Sequence, residues 1–139
     1  MDIRASVHAT EDVDKVLQAV YNVLPKGTAE NVVFRKSSLT GHHGNPIILL
    51  ETRIKDRTLT RRLVEKLSAG LSMLDKELLN REIGQHVENG NLYVRLDKQL
   101  AYANELKLGS SDPIHFRIHF KRHGDEEVIA TCRELGLLP

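Results

Sequence analysis

The stretch from Ile114 to Lys121 alternates apolar and basic residues at every position. Successive side chains of a β-strand point to opposite faces, so this pattern predicts a half-buried strand with one apolar and one basic face. The basic face carries His115, Arg117, His119 and Lys121, all of which can donate hydrogen bonds to phosphate. Because Lys and Arg on exposed strands also prevent sheet-to-sheet aggregation, the strand alone is equally compatible with a solvated face.

The first third of the chain predicts a strand, a helix and a hairpin. Residues 2–8 alternate apolar and polar positions, and apolar residues then recur at helical spacing over 13–24. Two further strands, over 32–40 and 46–54, flank a turn at 41–45 that contains two glycines. Strands joined by a short glycine-containing turn are typical of a β-hairpin.

Two amphipathic helices are predicted after the hairpin, and the second, over 73–85, is expected to bury Leu74, Leu78 and Leu79. The strand that follows presents Tyr93 and Arg95 outward. A short helix, the basic strand and a C-terminal helix complete the order β-α-β-β-α-α-β-α-β-α. This order predicts an α+β fold with helices packed on one face of a mostly antiparallel sheet.

Size and composition indicate a folded cytoplasmic protein. The 139 residues suit a single domain spanning 1–139, with 40% hydrophobic and 28% charged residues. The single cysteine excludes an intrachain disulfide, which fits a reducing cytoplasm, and no apolar run approaches the length of a membrane span. Because the net charge is only +1, a polyanionic partner must be inferred from where the basic residues lie.

The basic residues form four clusters, each of which alone is typical of a solvated face. If two or more converge on one surface, phosphate binding becomes the better interpretation. The clusters are Arg35 and Lys36 in the second strand, Arg53, Lys55 and Arg57 after the third, Arg61, Arg62 and Lys66 on the next helix, and Arg117, Lys121 and Arg122 in the basic strand.

The hairpin turn, Thr40 to Asn45, is the second candidate for a ligand site. Its two glycines allow backbone amides to approach an anion closely, and His42 and His43 can stack on bases or bond phosphate. The alternative is a hairpin turn that happens to carry two histidines. We expect the turn to contribute to nucleic-acid binding.

Neither a metal nor a cofactor is predicted. The adjacent His42 and His43 point opposite ways in an extended backbone, and His115 and His119 lie about 13 Å apart along a strand, too far to share one ion. Motifs for zinc, nucleotide phosphates, dinucleotides and serine hydrolysis are missing from the sequence, so no catalytic residue is assigned.

Few residues favour direct readout of bases. Tyr93 and Tyr102 are candidate stacking platforms, but the sequence has no interleaved aromatic pattern of the RRM kind. Recognition of RNA shape and backbone is therefore expected over sequence-specific readout.

Several segments resemble an archaeal family of small RNA-binding proteins labelled predicted exosome subunits. They are Ser-Val-His-Ala-Thr-Glu-Asp at 6–12 with Lys-Val-Leu at 15–17, Thr-Gly-His-His-Gly-Asn-Pro-Ile at 40–47, Asp-Lys-Gln at 97–99 and Gly-Ser-Ser-Asp-Pro-Ile-His at 109–115. The resemblance spans nearly the whole chain. It implies a fold similar to the ribosomal protein that binds 5S rRNA, an RNA-binding role, and a link to RNA processing or degradation.

The sequence thus predicts a non-catalytic RNA-binding protein, an accessory factor in RNA processing or degradation with the exosome as a partner. Two alternatives stay open: a hydrolase acting on RNA ends or nucleotides through His42 or His43, and a protein-interaction subunit of a larger complex. The predicted RNA-contacting residues are Arg35, Lys36, His42, His43, Arg53, Arg61, Arg117, His119 and Lys121.

Overall fold

The computed structural model describes residues 1–28, 32–41, 43–121 and 123–139. Over these residues the predicted element order is confirmed, with a two-residue strand and a 3-10 turn, Ile83–Gln85, added before the fifth strand. Among them, no helix has both the length and the apolar character needed to cross a membrane. The elements are β1 (Asp2–His8), α1 (Val13–Val23), β2 (Arg35–Thr40), β3 (Pro46–Arg53), α2 (Arg57–Gly70), α3 (Met73–Arg81), β4 (Val87–Glu88), β5 (Asn91–Leu96), α4 (Lys98–Tyr102), β6 (Ile114–His119) and α5 (Asp125–Glu134).

The described strands form one sheet in the order β2-β3-β1-β6-β5-β4, with every neighbouring pair antiparallel. β1 is central because Ile3 lies opposite Thr52 of β3 on one side and opposite Phe116 of β6 on the other. The predicted hairpin of β2 and β3 and the predicted basic strand β6 therefore belong to the same sheet, on either side of β1.

The described helices cover one face of this sheet. Ile3, Ala5 and Val7 of β1 are buried in a single apolar cluster with alternate residues of β5 and β6 and with residues of α1, α2, α3 and α5. Burying this much apolar surface on one side is the main source of stability. The intervening residues, such as Arg4 and Arg117, point to the opposite side, which we call the open face.

The expected burial of Leu74 and Leu78 in α3 is wrong. The side chains are exposed, whereas the neighbouring Leu79 is fully buried. The other inward position, one turn earlier, is taken by Asp75, whose carboxylate accepts a hydrogen bond from the Leu108 backbone at 3.0 Å. Asp75 and Leu79 thus face the core, and Leu74 and Leu78 lie on the outer side of the helix.

Candidate nucleic-acid interface

Three open-face residues lie side by side on β1, β6 and β5. The register places His115 opposite Arg4 on one side and opposite Arg95 on the other, and side chains at such positions lie about 5 Å apart. Both arginines are exposed, and among the described residues neither has a carboxylate within ion-pair distance. We call Arg4, His115 and Arg95 the arginine row; its two arginines carry fixed positive charges that no described carboxylate pairs with.

The surroundings of His115 hold its imidazole in the neutral form. Burial lowers the pKa of His115, the charges of Arg4 and Arg95 lower it further, and Asp112 opposes them in part. The ring therefore presents both a donor and an acceptor at neutral pH, while the two arginines supply the charge of the row.

A second group on the open face is internally neutralised. Arg53 donates from Nε to Asp2 Oδ1 at 2.7 Å, and Arg117 Nε lies 3.2 Å from Asp2 Oδ2. Burial by itself would raise the pKa of Asp2, but the hydrogen bond and charge of Arg53 and the charge of Arg117 lower it overall. Asp2 is thus ionised and shared between two guanidinium groups, so the predicted basic face of β6 contains a carboxylate contributed by β1.

The two predicted residues of β2 lie on opposite sides of the sheet. Arg35 is on the open face and pairs with Glu51 at 3.3 Å. Lys36 lies opposite the buried Leu50 and therefore points to the helix-covered side, although its own side chain is exposed at the sheet edge. Arg35 and Arg53 thus join Arg117 on one surface, and Lys36 does not.

The cluster on α2 lies in the helix layer. Leu63 and Leu67 of α2 are buried in the core, which sits on the opposite side of the sheet from the open face. Arg61 donates to Glu65 at 2.9 Å on the outer surface of this helix, and Arg62 donates to the Lys26 carbonyl at 2.7 Å. Arg61 is therefore separated from the open-face residues Arg35, Arg53 and Arg117 by the thickness of the sheet and core.

The last two predicted residues of the basic strand differ in position. His119 lies on the open face opposite Asn91, with a 2.9 Å hydrogen bond between its Nδ1 and the Asn91 Oδ1. Lys121 is exposed in the turn after β6 has ended. Arg122 lies outside the described residues. Of the four basic positions predicted on one face of this strand, His115, Arg117 and His119 lie within the sheet and Lys121 lies beyond it.

The hairpin turn lies away from the arginine row. Ile47, the second residue of β3, is opposite His8, about 13 Å along the sheet from the level of Arg4. Two amides expected to cradle an anion donate within the turn instead, Gly41 to Asn45 at 2.6 Å and Gly44 to Gly41 at 3.0 Å. His43 is exposed there, and His42 lies outside the described residues.

The open face forms a wide cleft of about 1230 Å³. The arginine row, Asp2 and Arg117 lie along it, Tyr93 is on its floor, and the exposed Leu78 of α3 and Val33 lie at its sides. Sites for small molecules commonly enclose roughly 300–1,000 Å³ and bury most of the ligand. A larger, open cleft with charged groups spread along it is better suited to a polymer.

A third charged cluster, at the end of the sheet near His8, surrounds a buried ammonium group. The Lys98 ammonium is 3% exposed and donates to the Ser6 carbonyl, Glu11 and Asp112 at 2.8, 2.9 and 2.5 Å. His8, Glu11 and Asp112 bring potential metal-ligating atoms within 4.8 Å of one another. Lys98 already supplies a positive charge between the two carboxylates, so this group is best described as an internal ion cluster.

Arg4 and Arg95, which carry the charge of the arginine row, were not among the predicted contacts. The sequence did indicate that both point outward from alternating strands. The missing information was the register, because only strand pairing shows that β1, β6 and β5 bring these two residues to either side of His115.

Comparison with known proteins places the chain in a family. The sequence profile of a family described as RNA binding matches residues 1–120. The RNA-binding protein PAB1135 of Pyrococcus abyssi is 36% identical over 137 residues, covering 95% of this chain and 89% of that protein. The chain therefore belongs to this RNA-binding family, in agreement with the resemblance to small archaeal RNA-binding proteins.

Solved structures show the same fold. Mth689, a DUF54 protein from Methanothermobacter thermautotrophicus, is 29% identical with a TM-score of 0.78, covering 97% of this chain and 95% of its own. Protein AF2318 from Archaeglobus fulgidus is 28% identical with a TM-score of 0.76, covering 96% of each chain. Both likenesses extend over nearly the full length, so the one-sided sheet is shared with these proteins.

Proposed function

From this family membership, we propose that the protein is a non-catalytic RNA-binding protein that contacts the phosphate backbone through the open face of its sheet. The observation that carries the proposal is the arginine row, where exposed guanidinium groups on β1 and β5, on either side of β6, have no carboxylate partner among the described residues. Phosphate is the ligand that a guanidinium binds best, since two parallel N–H groups match two oxygens.

Arg35, Arg53 and Arg117 extend this surface on either side of the row. Each of these arginines forms an ion pair with Glu51 or Asp2. Because an exposed ion pair contributes only about 0–1 kcal/mol, an incoming phosphate can compete with the carboxylate for the arginine. The protein would therefore bind RNA first at Arg4 and Arg95 and recruit the paired arginines as the strand extends.

In the cell, this surface would serve an accessory role in RNA processing or degradation, with the exosome as a candidate partner. The basis for this part is the resemblance of segments 6–12, 40–47, 97–99 and 109–115 to proteins labelled predicted exosome subunits. Retention of the purified protein on immobilised exosome in the presence of nuclease would support direct contact, and loss on nuclease treatment would indicate tethering through RNA.

The RNA-binding proposal is tested by the salt dependence of affinity for a mixed-sequence RNA. If about five phosphates are neutralised, the slope of log affinity against log salt is about −3.5 to −4.5. The variant Arg4→Ala/Arg95→Ala should have a slope shallower by about 1.5 and bind about 25- to 100-fold more weakly in moderate salt, the product of two contacts each worth about five- to tenfold. A matched control, Arg61→Ala/Arg62→Ala, removes the same charge from the helix layer and should bind like the unmodified protein.

Equal losses in the two double variants would show that total charge, and not the open face, governs binding. Absence of a salt-dependent shift at low ionic strength would reject the proposed function. Circular dichroism of both variants confirms that the comparison is made between folded proteins.

A further inference from the structure

The cleft on the open face contains groups that suit nucleobases better than phosphates. Val33 is 84% exposed and Leu78 is 37% exposed, and both line the cleft. Apolar side chains offer nothing to a charged phosphate, whereas the flat faces of unstacked bases gain from covering them.

Carboxylates are also distributed through the cleft. Asp2 and Glu51 are paired with arginines, and Glu82 lies 3.7 Å from His86 Nε2. Glu88 is exposed and has no ion-pair partner among the described residues. A double helix directs phosphates outward along both strands, so docking it here would bring like charges together. The amino groups of splayed bases, in contrast, are good donors to carboxylates.

Tyr93 provides a ring at the position where bases would lie. It is partly exposed on the cleft floor, with Arg117 directly opposite on β6 and Arg95 two residues along the same face of β5. Adjacent same-face positions on one strand are about 7 Å apart. A base stacked on this ring would therefore have a guanidinium within reach on two sides for its flanking phosphates.

We propose that the ligand of this cleft is single-stranded RNA, with at least one unstacked base on Tyr93 and its phosphates directed to the arginine row. This rests on the proposed function and specifies its substrate class. Neutral His115, between Arg4 and Arg95, adds a donor and an acceptor for a base edge.

The test compares one RNA in two forms. A mixed-sequence strand of about 12 nucleotides, within the roughly 4–16 that one small module covers, is measured alone and annealed to its complement at the same salt. The single strand should bind at least about tenfold more tightly than the duplex. Tyr93→Leu should weaken single-strand binding about tenfold, the usual loss of one stacked base, and leave duplex binding unchanged.

Two variants control for the ring and for the loss of a tyrosine. Tyr93→Phe keeps the stacking surface and should bind like the unmodified protein. Tyr102→Leu removes the exposed tyrosine of α4, which does not line this cleft, and should have no effect. Circular dichroism shows whether each variant is folded.

Duplex binding as tight as single-strand binding would overturn the inference, as would an equal loss for both forms in Tyr93→Leu. If both forms bind equally and depend on Arg4 and Arg95, the RNA-binding function stands and only the single-strand assignment fails. If neither form binds at about 50 mM salt, the proposed function fails as well.

Discussion

Lys98 and the arginine row hold positive charge in opposite ways. The Lys98 ammonium is buried and surrounded by the Ser6 carbonyl and two carboxylates, which use its three donors. Arg4 and Arg95 are exposed and without a carboxylate partner among the described residues, although they flank a histidine whose pKa they depress. The first arrangement satisfies a charge and the second leaves charge available.

This difference shows how the role of a basic residue follows from its partners and not from its charge. A saturated, buried cation contributes to holding β1, α4 and the loop before β6 together. Arg4 and Arg95 have no carboxylate partner among the described residues, so their mutual repulsion is an electrostatic cost that a bound phosphate would relieve. Removing each should therefore affect different measurements.

The largest effect is expected from Lys98→Met, which keeps the length of the side chain but removes its charge. Glu11 and Asp112 would lose their shared cation, and removing one partner of a buried ion pair costs up to about 3–5 kcal/mol. Because Asp112 is partly exposed and can be rehydrated, we expect a loss of about 2–3 kcal/mol in the free energy of unfolding. Urea denaturation measures this loss.

RNA affinity of Lys98→Met, measured at a temperature where it is folded, should match that of the unmodified protein. A clear loss of affinity without a loss of stability would place Lys98 on the RNA surface and remove the distinction between the two regions.

The next effect separates unpaired from paired arginines. Arg4→Ala should weaken RNA binding by about five- to tenfold, the loss of one charge-assisted contact. The loss of affinity in Arg117→Ala should be about fivefold smaller than the loss in Arg4→Ala. Arg117 must give up part of its interaction with Asp2, worth up to about 1 kcal/mol, before it binds phosphate. Filter binding of both single variants in the same salt gives the ratio, and a larger effect for Arg117 would contradict this ranking.

A smaller effect, in the opposite direction, is expected from Asp2→Asn. The substitution keeps the shape of the side chain, releases Arg53 and Arg117, and removes a negative charge from the open face. We expect RNA affinity to rise about two- to fivefold, corresponding to the release of a pair worth less than about 1 kcal/mol. If affinity falls instead, Asp2 orients the two guanidinium groups for phosphate and does not compete with it.

The sequence predicted the fold better than the site because the two depend on different information. Alternation in residues 2–8 and 114–121 and the helical spacing over 13–24 reflect the single buried face, so element order and the one-sided sheet followed directly. The site depends on which strands are neighbours. Without the register, Arg61 could be grouped wrongly with Arg117. Asp2, in turn, could not be placed beside Arg117.

The same limit applies within single elements. Adjacent residues of a strand point to opposite faces, so Arg35 and Lys36 could not both belong to one surface, a consequence that the β2 pattern already contained. The exposure of Leu74 and Leu78 accompanies an inward-facing Asp75 that accepts a hydrogen bond from the Leu108 backbone. This is a long-range interaction that no local pattern indicates. The exosome link and the likeness to the 5S rRNA-binding protein stay predictions.

The smallest predicted effect is on the free energy of unfolding. It arises because Arg4 and Arg95 lie beside His115 without a carboxylate partner among the described residues. The pKa of His115 is lower in the folded protein than its ordinary value of 6.5, chiefly through burial and then through these two charges, with Asp112 opposing. Below that ordinary value the unfolded chain therefore binds more protons, so the stabilising contribution is full above about pH 6.5 and is lost as the pH falls through the folded pKa.

In His115→Gln this loss should be absent, so its free energy of unfolding should decline less between neutral and mildly acidic pH than that of the unmodified protein. Subtracting the pH dependence of one protein from that of the other cancels the contribution of the other six histidines. Urea denaturation across this range measures it, and Arg4→Ala should reduce the decline in part, because one of the two charges is gone. An unchanged decline in both variants would mean that His115 is not held neutral by the row, and the unpaired arginines would then carry no measurable cost.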